Sequence, residues 1–381
     1  GLAPIVIERG KCVEEREKDV ERFWSGGAFN PGSNVQFGEG GAGAFSDGKL
    51  NSGIKDPRCR RVLEILQRKA AQGLDVRVIY DGVGCLTTLP PHYDRKLAGM
   101  GIRCRVFNPF IPVLTIRHNN RDHRKIMVID GRIAFTGGVN LQDRYINAEQ
   151  VFGHWKDCGV MVEGTAAGSF TALFLQLWNI AQKQPQLPPA TDPAETANTA
   201  GYVIPFGDSP LGKENVGKMV YLNMLNQAKH SVYIMTPYLI LDGELLTALE
   251  FAAKRGIDVR LILPHIPDKK IAFALAKSHY PQLIEAGVKI YEYTPGFVHA
   301  KVFLCDDRQA VVGTINLDYR SLYHHFECGT YLYETNCISH ICTDFEATFA
   351  KSQLVTRQDL KKQNFFLWFV GKLLKVAAPL L

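Results

Sequence analysis

The chain has 381 residues, 46% of them apolar and 22% charged, which excludes a disordered or fibrous protein and leaves room for two domains or one duplicated domain. Its formal net charge is only +6, a basic excess that favours an anionic partner weakly and is too small to define a nucleic-acid groove. No run reaches the roughly 18 to 20 apolar residues needed to span a bilayer, so any membrane contact is expected to be peripheral. Nine cysteines at 12, 59, 85, 104, 158, 305, 328, 337 and 342 form no CxxC pair and read as reduced thiols.

Taken in order, residues 1–57 hold the apolar "PIVIERG" (4–10) and the glycine-rich "NVQFGEGGAGAFSDGKLNSGIKDP" (34–57), the latter unfit for a buried strand. "KAAQGLDVRVIYDG" (69–82) predicts a helix ending at Gly73 and a β-branched strand, and "LAGMGIRCRVFNP" (97–109) repeats that pattern around Gly101. "HRKIMVID" (123–130) is a strand headed by His123 and Lys125, and "GRIAFTGGVNLQDR" (131–144) supplies a turn and a further strand. "DCGVMV" (157–162) is another strand, and "FLQLWNIAQ" (174–182) reads as core. The Pro-, Ala- and Thr-rich "QPQLPPATDPAETANTAG" (184–201) is expected to be a linker between a first half (58–183) and a second (202–363).

The second half repeats the first. "AAKRGIDVRLILPH" (252–265), "LIEAGVKIYEYTP" (283–295), "HAKVFLCD" (299–306), "DRQAVVGTINLDYR" (307–320) and "ECGTYL" (327–332) match the earlier segments, with Asn140 and Asn316 each seventeen residues beyond their histidines. Alternating units of this kind predict an α/β fold of mixed sheets covered by helices. Two homologous halves are expected to face each other about a pseudo-two-fold axis.

Residues i and i+2 of a strand share a face, so His123 projects with Lys125 and His299 with Lys301. Two such pairs suit a phosphodiester: one neutral imidazole attacks phosphorus, the other protonates the leaving oxygen, and the roles exchange in the second step. The lysines, with Asn140 and Asn316, would donate to the non-bridging oxygens. Each histidine needs its other ring nitrogen anchored, and the repeat nominates Asp157 and Glu327, which align in "WKDCG" and "FECGT". Asp130 and Asp306 fall on the opposite strand face and read as turn-formers. His154, Trp155 and Lys156 are candidates to shape the first half's site, and Tyr238 to border the site or the core. Histidines 324 and 325 lack carboxylate or cysteine partners at metal-ligand spacing, so no metal is assigned. No cofactor is expected.

"HRKIMVID…GGVN" and "HAKVFLCD…GTIN" resemble the two signatures of the phospholipase D superfamily. From about residue 62 to 381 the chain is similar to its bacterial cardiolipin synthase branch, through "NNRDHRKIMVIDGRIAFTGGVNLQDRYIN", "FGHWKDCGVMVEG", "IMTPYLILDGELLTAL" and "FVHAKVFLCDD". The resemblance implies two phospholipase D-like halves. It implies transfer of a phosphatidyl group between two phosphatidylglycerol molecules through a phosphohistidine, giving cardiolipin and glycerol. It also implies a place on the cytoplasmic face of the bacterial inner membrane. Its motif residues here are His123, Lys125, Asp130, His299, Lys301 and Asp306. In the superfamily the first histidine is more often the nucleophile, which would be His123; the residues alone leave the order open. No obligate protein partner is implied.

The family pattern places membrane-spanning segments and an apolar opening strand ahead of the first helix, the strand being the counterpart of "SVYIMTPYLI" (231–240). Residues 1–57 match neither. They resemble a truncated piece of an FAD-dependent dehydrogenase, with Glu8 in the place of the ribose-binding acid but without a GxGxxG turn. Alone, this dinucleotide-fold fragment is not expected to bind FAD, and a junction near "RCRRVLEIL" (58–66) is expected to leave the first half without its opening strand. "NFFLWFVGKLLKVAAPLL" (364–381), with Lys372 and Lys375, suits either the headgroup region or a docked helix. Three other functions stay open: hydrolysis of a phosphodiester, a flavin oxidoreductase argued only by residues 1–57, and an inactive membrane-binding chain.

Overall fold

In the computed structural model, the described residues are 5–6, 22, 57–86, 88–109, 119–180, 185–188, 200–361, 371, 374 and 375. The FAD-like fragment, apart from Ile5, Val6, Arg22 and Pro57, lies outside them, as do most of the linker and of the C-terminal segment.

The first half contains α1 (Pro57–Ala71), β2 (Arg77–Asp81), α2 (Tyr93–Gly99) and β3 (Arg103–Phe107), preceded by the short β1 (Ile5–Val6). It continues through β4 (Arg121–Asp122), β5 (Ile126–Ile129), β6 (Ile133–Gly137), β7 (His154–Lys156), β8 (Gly159–Glu163) and α3 (Ala167–Trp178). The second half runs β9 (Tyr202–Asp208), α4 (Val216–Gln227), β10 (Ser231–Met235), α5 (Gly243–Lys254), β11 (Asp258–Pro264), α6 (Lys270–Ala286) and β12 (Lys289–Tyr293). It closes with β13 (Gly296–Val298), β14 (Val302–Cys305), β15 (Gln309–Gly313), β16 (His325–Tyr333), α7 (Ile338–Phe349), β17 (Ser352–Leu354) and α8 (Arg357–Lys361).

The four expected helix ends all place glycine in the left-handed region, at φ 86, 78, 90 and 103 for Gly73, Gly101, Gly256 and Gly287. After α6, Val288 N donates to Leu283 O and Gly287 N to Ile284 O, which satisfies the last carbonyls as the helix turns into β12.

The two halves differ in one strand. In the second, β10 lies between β11, to which it is parallel, and β14, to which it is antiparallel, so the order β17-β12-β11-β10-β14-β15-β16 is one continuous sheet. In the first, β2 and β3 form a separate two-stranded sheet, while β5, β6 and β8 form another with β1 on its far edge. Among the described residues no strand joins β2 to β5. The buried carboxylate of Asp81 bridges part of that gap: it accepts from Arg121 Nε at 3.0 Å and from Asp122 N at 3.0 Å, tying β2 to β4.

The halves share a core. Ala134, Val160, Val162 and Phe170 of the first pack with Val298, Val302, Leu304 and Val312 of the second. A second cluster lies under α4, α5 and α6 and includes Tyr221, Met224, Leu249, Tyr280 and Phe303. Leu175, Leu177 and Trp178 of "FLQLWNIAQ" (174–182) are buried in the core. At the C-terminus, Leu374 packs against Ile240 and Leu275, and a Cβ on Gly371 would meet Ala274 O at 2.5 Å. These two residues are docked on α6.

Candidate active site

Two short parallel strand pairs carry the site across the halves. β13 runs beside β7, with Phe297 opposite Trp155 and Val298 opposite Lys156. β4 runs beside β16, with Arg121 opposite His325 and Asp122 opposite Phe326. Superposing the repeats maps one pair onto the other residue for residue. The histidine that follows each pair repeats the match: His299 N donates to Lys156 O at 2.7 Å, and His123 N to Phe326 O at 3.0 Å. The pseudo-two-fold is therefore written in the backbone register.

This crossing decides which acid holds which histidine. His299 Nδ1 lies 2.8 Å from Asp157 Oδ2, and His123 Nδ1 lies 2.9 and 3.0 Å from the Glu327 oxygens. Each half supplies the carboxylate for the other half's imidazole. Residue types follow from the backbone beside each acid. A Cβ on Gly138 would come within 2.1 Å of Asp157 Oδ1; the corresponding Thr314 instead donates its hydroxyl to Glu327.

Lys125, Lys301 and His299 are buried and His123 is half-buried; i and i+2 placement puts each lysine beside its histidine. Lys301 Nζ lies 2.9 Å from both ring nitrogens of His299, and Lys125 Nζ donates to His123 O at 2.5 Å. Asn140 and Asn316 are both buried, and neither Oδ1 has a hydrogen-bond partner. Asn140 Nδ2 donates to Tyr145 OH at 2.5 Å, and the Tyr145 ring stands edge-on to His299 at 5.1 Å.

Asp130 and Asp306 stay out of this cluster. Each lies seven residues past its histidine, roughly 20 Å away along an extended strand. Asp306 accepts from the backbone N–H groups of Lys229, His230 and Ser231 at 2.7 to 2.9 Å, which fixes the entry to β10. Asp130 is exposed and makes no hydrogen bond among the described residues, since the strand it would hold has no counterpart there. Asp306 thus acts on the scaffold, while Asp130 sits at the β5–β6 turn with φ 52.

Some participants escape sequence reasoning. Trp155 lies 5.2 Å from the His299 ring, so the "HWK" segment walls the second half's histidine, not the first's. Phe297 stacks 6.1 Å from the same ring. Phe297 and Tyr238 also line a neighbouring cleft, with the Tyr238 hydroxyl donating to Asp268 at 2.6 Å. His325 lies 3.6 Å from Glu327 Oε1, its ring 5.5 Å from that of His123. The absence of a carboxylate partner inferred for residues 324 and 325 is thus corrected: His325 and Glu327 share one face of β16 at i and i+2, a spacing the sequence itself displays.

The two acid–imidazole pairs are electrostatically unlike. Burial, then the Lys301 ammonium, push His299 down to about 3 against the pull of Asp157. Burial raises Asp157, but His299 and Lys301 outweigh it and hold the carboxyl below its usual range. This pair is a carboxylate beside a neutral imidazole. Burial pushes Glu327 up to about 8, opposed by Lys125, Thr314 and Ser321, so this pair keeps an extra proton near neutrality.

Two homologous α/β halves facing each other with paired His-x-Lys strands define the phospholipase D-like class. A family model described as the cardiolipin synthase, phospholipase D-like domain matches residues 54–178 and 221–349, and the chain belongs to that family. It is 54% identical over 321 residues to a Streptococcus mutans protein described as uncharacterized, covering 84% of this chain and 70% of that one. It is 37% identical over 325 residues to a cardiolipin synthase of Geobacillus kaustophilus, covering 84% of this chain and 64% of the synthase. The fold is similar to a phosphatidylserine synthase from Haemophilus influenzae, with a TM-score of 0.64 at 15% identity, over 89% of this chain and 90% of that one. Among the described residues no helix is long and apolar enough to cross a membrane.

Proposed function

We propose that this chain is a phosphatidyltransferase that makes cardiolipin from two phosphatidylglycerol molecules and releases glycerol. The crossed anchoring of two histidines supports the reading, because each imidazole is held by a carboxylate at Nδ1 and so directs Nε2 toward a common substrate. Family membership supports the substrate class, as does similarity to the Geobacillus synthase.

His299 attacks phosphorus through Nε2, and the bond from phosphorus to the glycerol oxygen breaks. His123, whose Nδ1 faces the proton held by Glu327, passes a proton to that oxygen. The hydroxyl of a second phosphatidylglycerol then enters, loses its proton to His123, and displaces His299. Lys125 and Lys301, with the Asn140 and Asn316 amides turned to present Nδ2, donate to the non-bridging oxygens as charge develops. This order is the reverse of the one the superfamily resemblance favours. It rests on the neutral state of His299 beside ionised Asp157 and on the proton retained by the Glu327 pair.

The chain works from the cytoplasmic face of the membrane, on lipid presented at the surface. Incubation with phosphatidylglycerol vesicles and separation of the lipids tests the reading. Cardiolipin and glycerol in equal amounts are expected; phosphatidic acid would make the chain a hydrolase, and no turnover would refute the enzyme altogether.

A further inference from the structure

We propose that His123, His325 and Glu327 form a zinc site through which a divalent transition metal reversibly closes the active centre. The donors belong to two segments brought together by the β4–β16 pairing. Each residue offers one ligand atom, and the three atoms lie within 4.8 Å of one another. Metal–ligand bonds of roughly 2.0 Å in a tetrahedron separate neighbouring donors by roughly 3.3 Å. Two of the separations here bracket that value: His123 Nδ1 to Glu327 Oε1 is 2.9 Å, and His325 Nδ1 to the same oxygen is 3.6 Å. Adjustments of a few tenths of an ångström at these two edges complete them.

Donor chemistry fits as well. Two imidazoles and a carboxylate with one open position make a zinc donor set, with the fourth place left for water or a phosphate oxygen. The Glu327 side chain is fully buried, while those of His123 and His325 are 15% and 12% exposed, so an ion enters from the histidine side. Binding replaces the proton between His123 and Glu327 with the metal and releases it to solvent. Among the described residues the other half has no such cluster: the repeat puts Trp155 where His325 stands, and Trp155 packs on His299.

Metal binding follows from this geometry alone, whereas closure of the active centre rests on the function proposed for His123. Zinc chloride is titrated into the intact chain against a chromophoric chelator, and turnover of phosphatidylglycerol vesicles is followed at the same free zinc concentrations. Single-site binding is expected, with inhibition at the same midpoint and full recovery on chelation. His325→Gln should weaken binding by more than about tenfold and relieve inhibition, while His324→Gln should do neither. X-ray absorption at the zinc edge of the unsubstituted protein should show nitrogen and oxygen neighbours, a readout independent of any variant's folding. A sulfur shell, or unchanged affinity in a folded His325→Gln chain, would overturn the site. Zinc bound at the site in a chain that never turns lipid over would sink the functional reading and leave the site standing.

Discussion

Replacing Asp157 with asparagine keeps the shape of the side chain and removes its charge. The Asn oxygen still accepts from Cys158 N, the 2.9 Å contact made by Asp157, so the turn survives. What changes is the field at His299. Phosphorylation at Nε2 makes that ring cationic, with the carboxylate about 4 Å from the charge. At an effective dielectric of ~20 such a pair is worth about 4 kcal/mol, or a factor of about 10³ in the rate of the first step. The assay is rapid-quench turnover of phosphatidylglycerol labelled in its phosphate, with the protein digested and the labelled peptide identified. Wild type should carry label on the peptide containing His299, and Asp157→Asn should lose the label and turnover together. Glu327→Gln should instead slow the departure of glycerol. With a p-nitrophenyl headgroup, whose oxygen leaves without a proton, that loss should shrink to less than about tenfold. Label on the His123 peptide, or less than a tenfold effect of Asp157→Asn, would refute the assigned order.

Other consequences are equally open to measurement. The Glu327–His123 pair holds its proton below about 8 and loses it as pH rises through that value. Because the first step consumes that proton, kcat/KM should fall about tenfold per pH unit above 8. A flat profile to pH 9.5 would remove this acid. Asp306→Ala should lower the unfolding free energy by about 3 kcal/mol, because three backbone N–H groups lose a charged acceptor, whereas the exposed Asp130→Ala should change it by less than about 0.5 kcal/mol. Equal effects in thermal melts would contradict the distinction. Asp81→Ala removes the carboxylate paired with the buried Arg121 guanidinium and should cost about 3–5 kcal/mol; urea unfolding that matches wild type would show the link between β2 and β4 to be dispensable.

The repeat made much of this legible. Helix ends at glycine, strands with His and Lys at i and i+2, and matched asparagines are local patterns, and local physics imposes them. What the sequence could not display was partnership across the axis. Asp157 and Glu327 stand out as anchors through alignment alone, but their crossing depends on parallel pairing between β7 and β13 and between β4 and β16, short contacts with no periodic signature. For the same reason Trp155 reads as a neighbour of the first histidine while packing on the second. His325 is the instructive miss, since its i, i+2 relation to Glu327 is visible in "HFE". Metal-ligand reasoning by linear spacing passed over it because the third donor, His123, is 202 residues away.

Crossed anchoring also explains how the first half can hold its part of a site on a divided sheet. β10 is what unites the second half, and among the described residues, where it has no counterpart, β2 and β3 join the rest through Asp81, Arg121 and shared core contacts. His123 does not depend on that join. Its backbone hangs on Phe326, its ring on Glu327, and both are buried residues of β16, where Glu327 pairs with Asp208 of β9. Reciprocally, His299 depends on Lys156 and Asp157 of the first half, which lead into β8 and the core shared by the two halves. Disturbance of β2 and β3 should therefore reach stability before it reaches the geometry of either histidine.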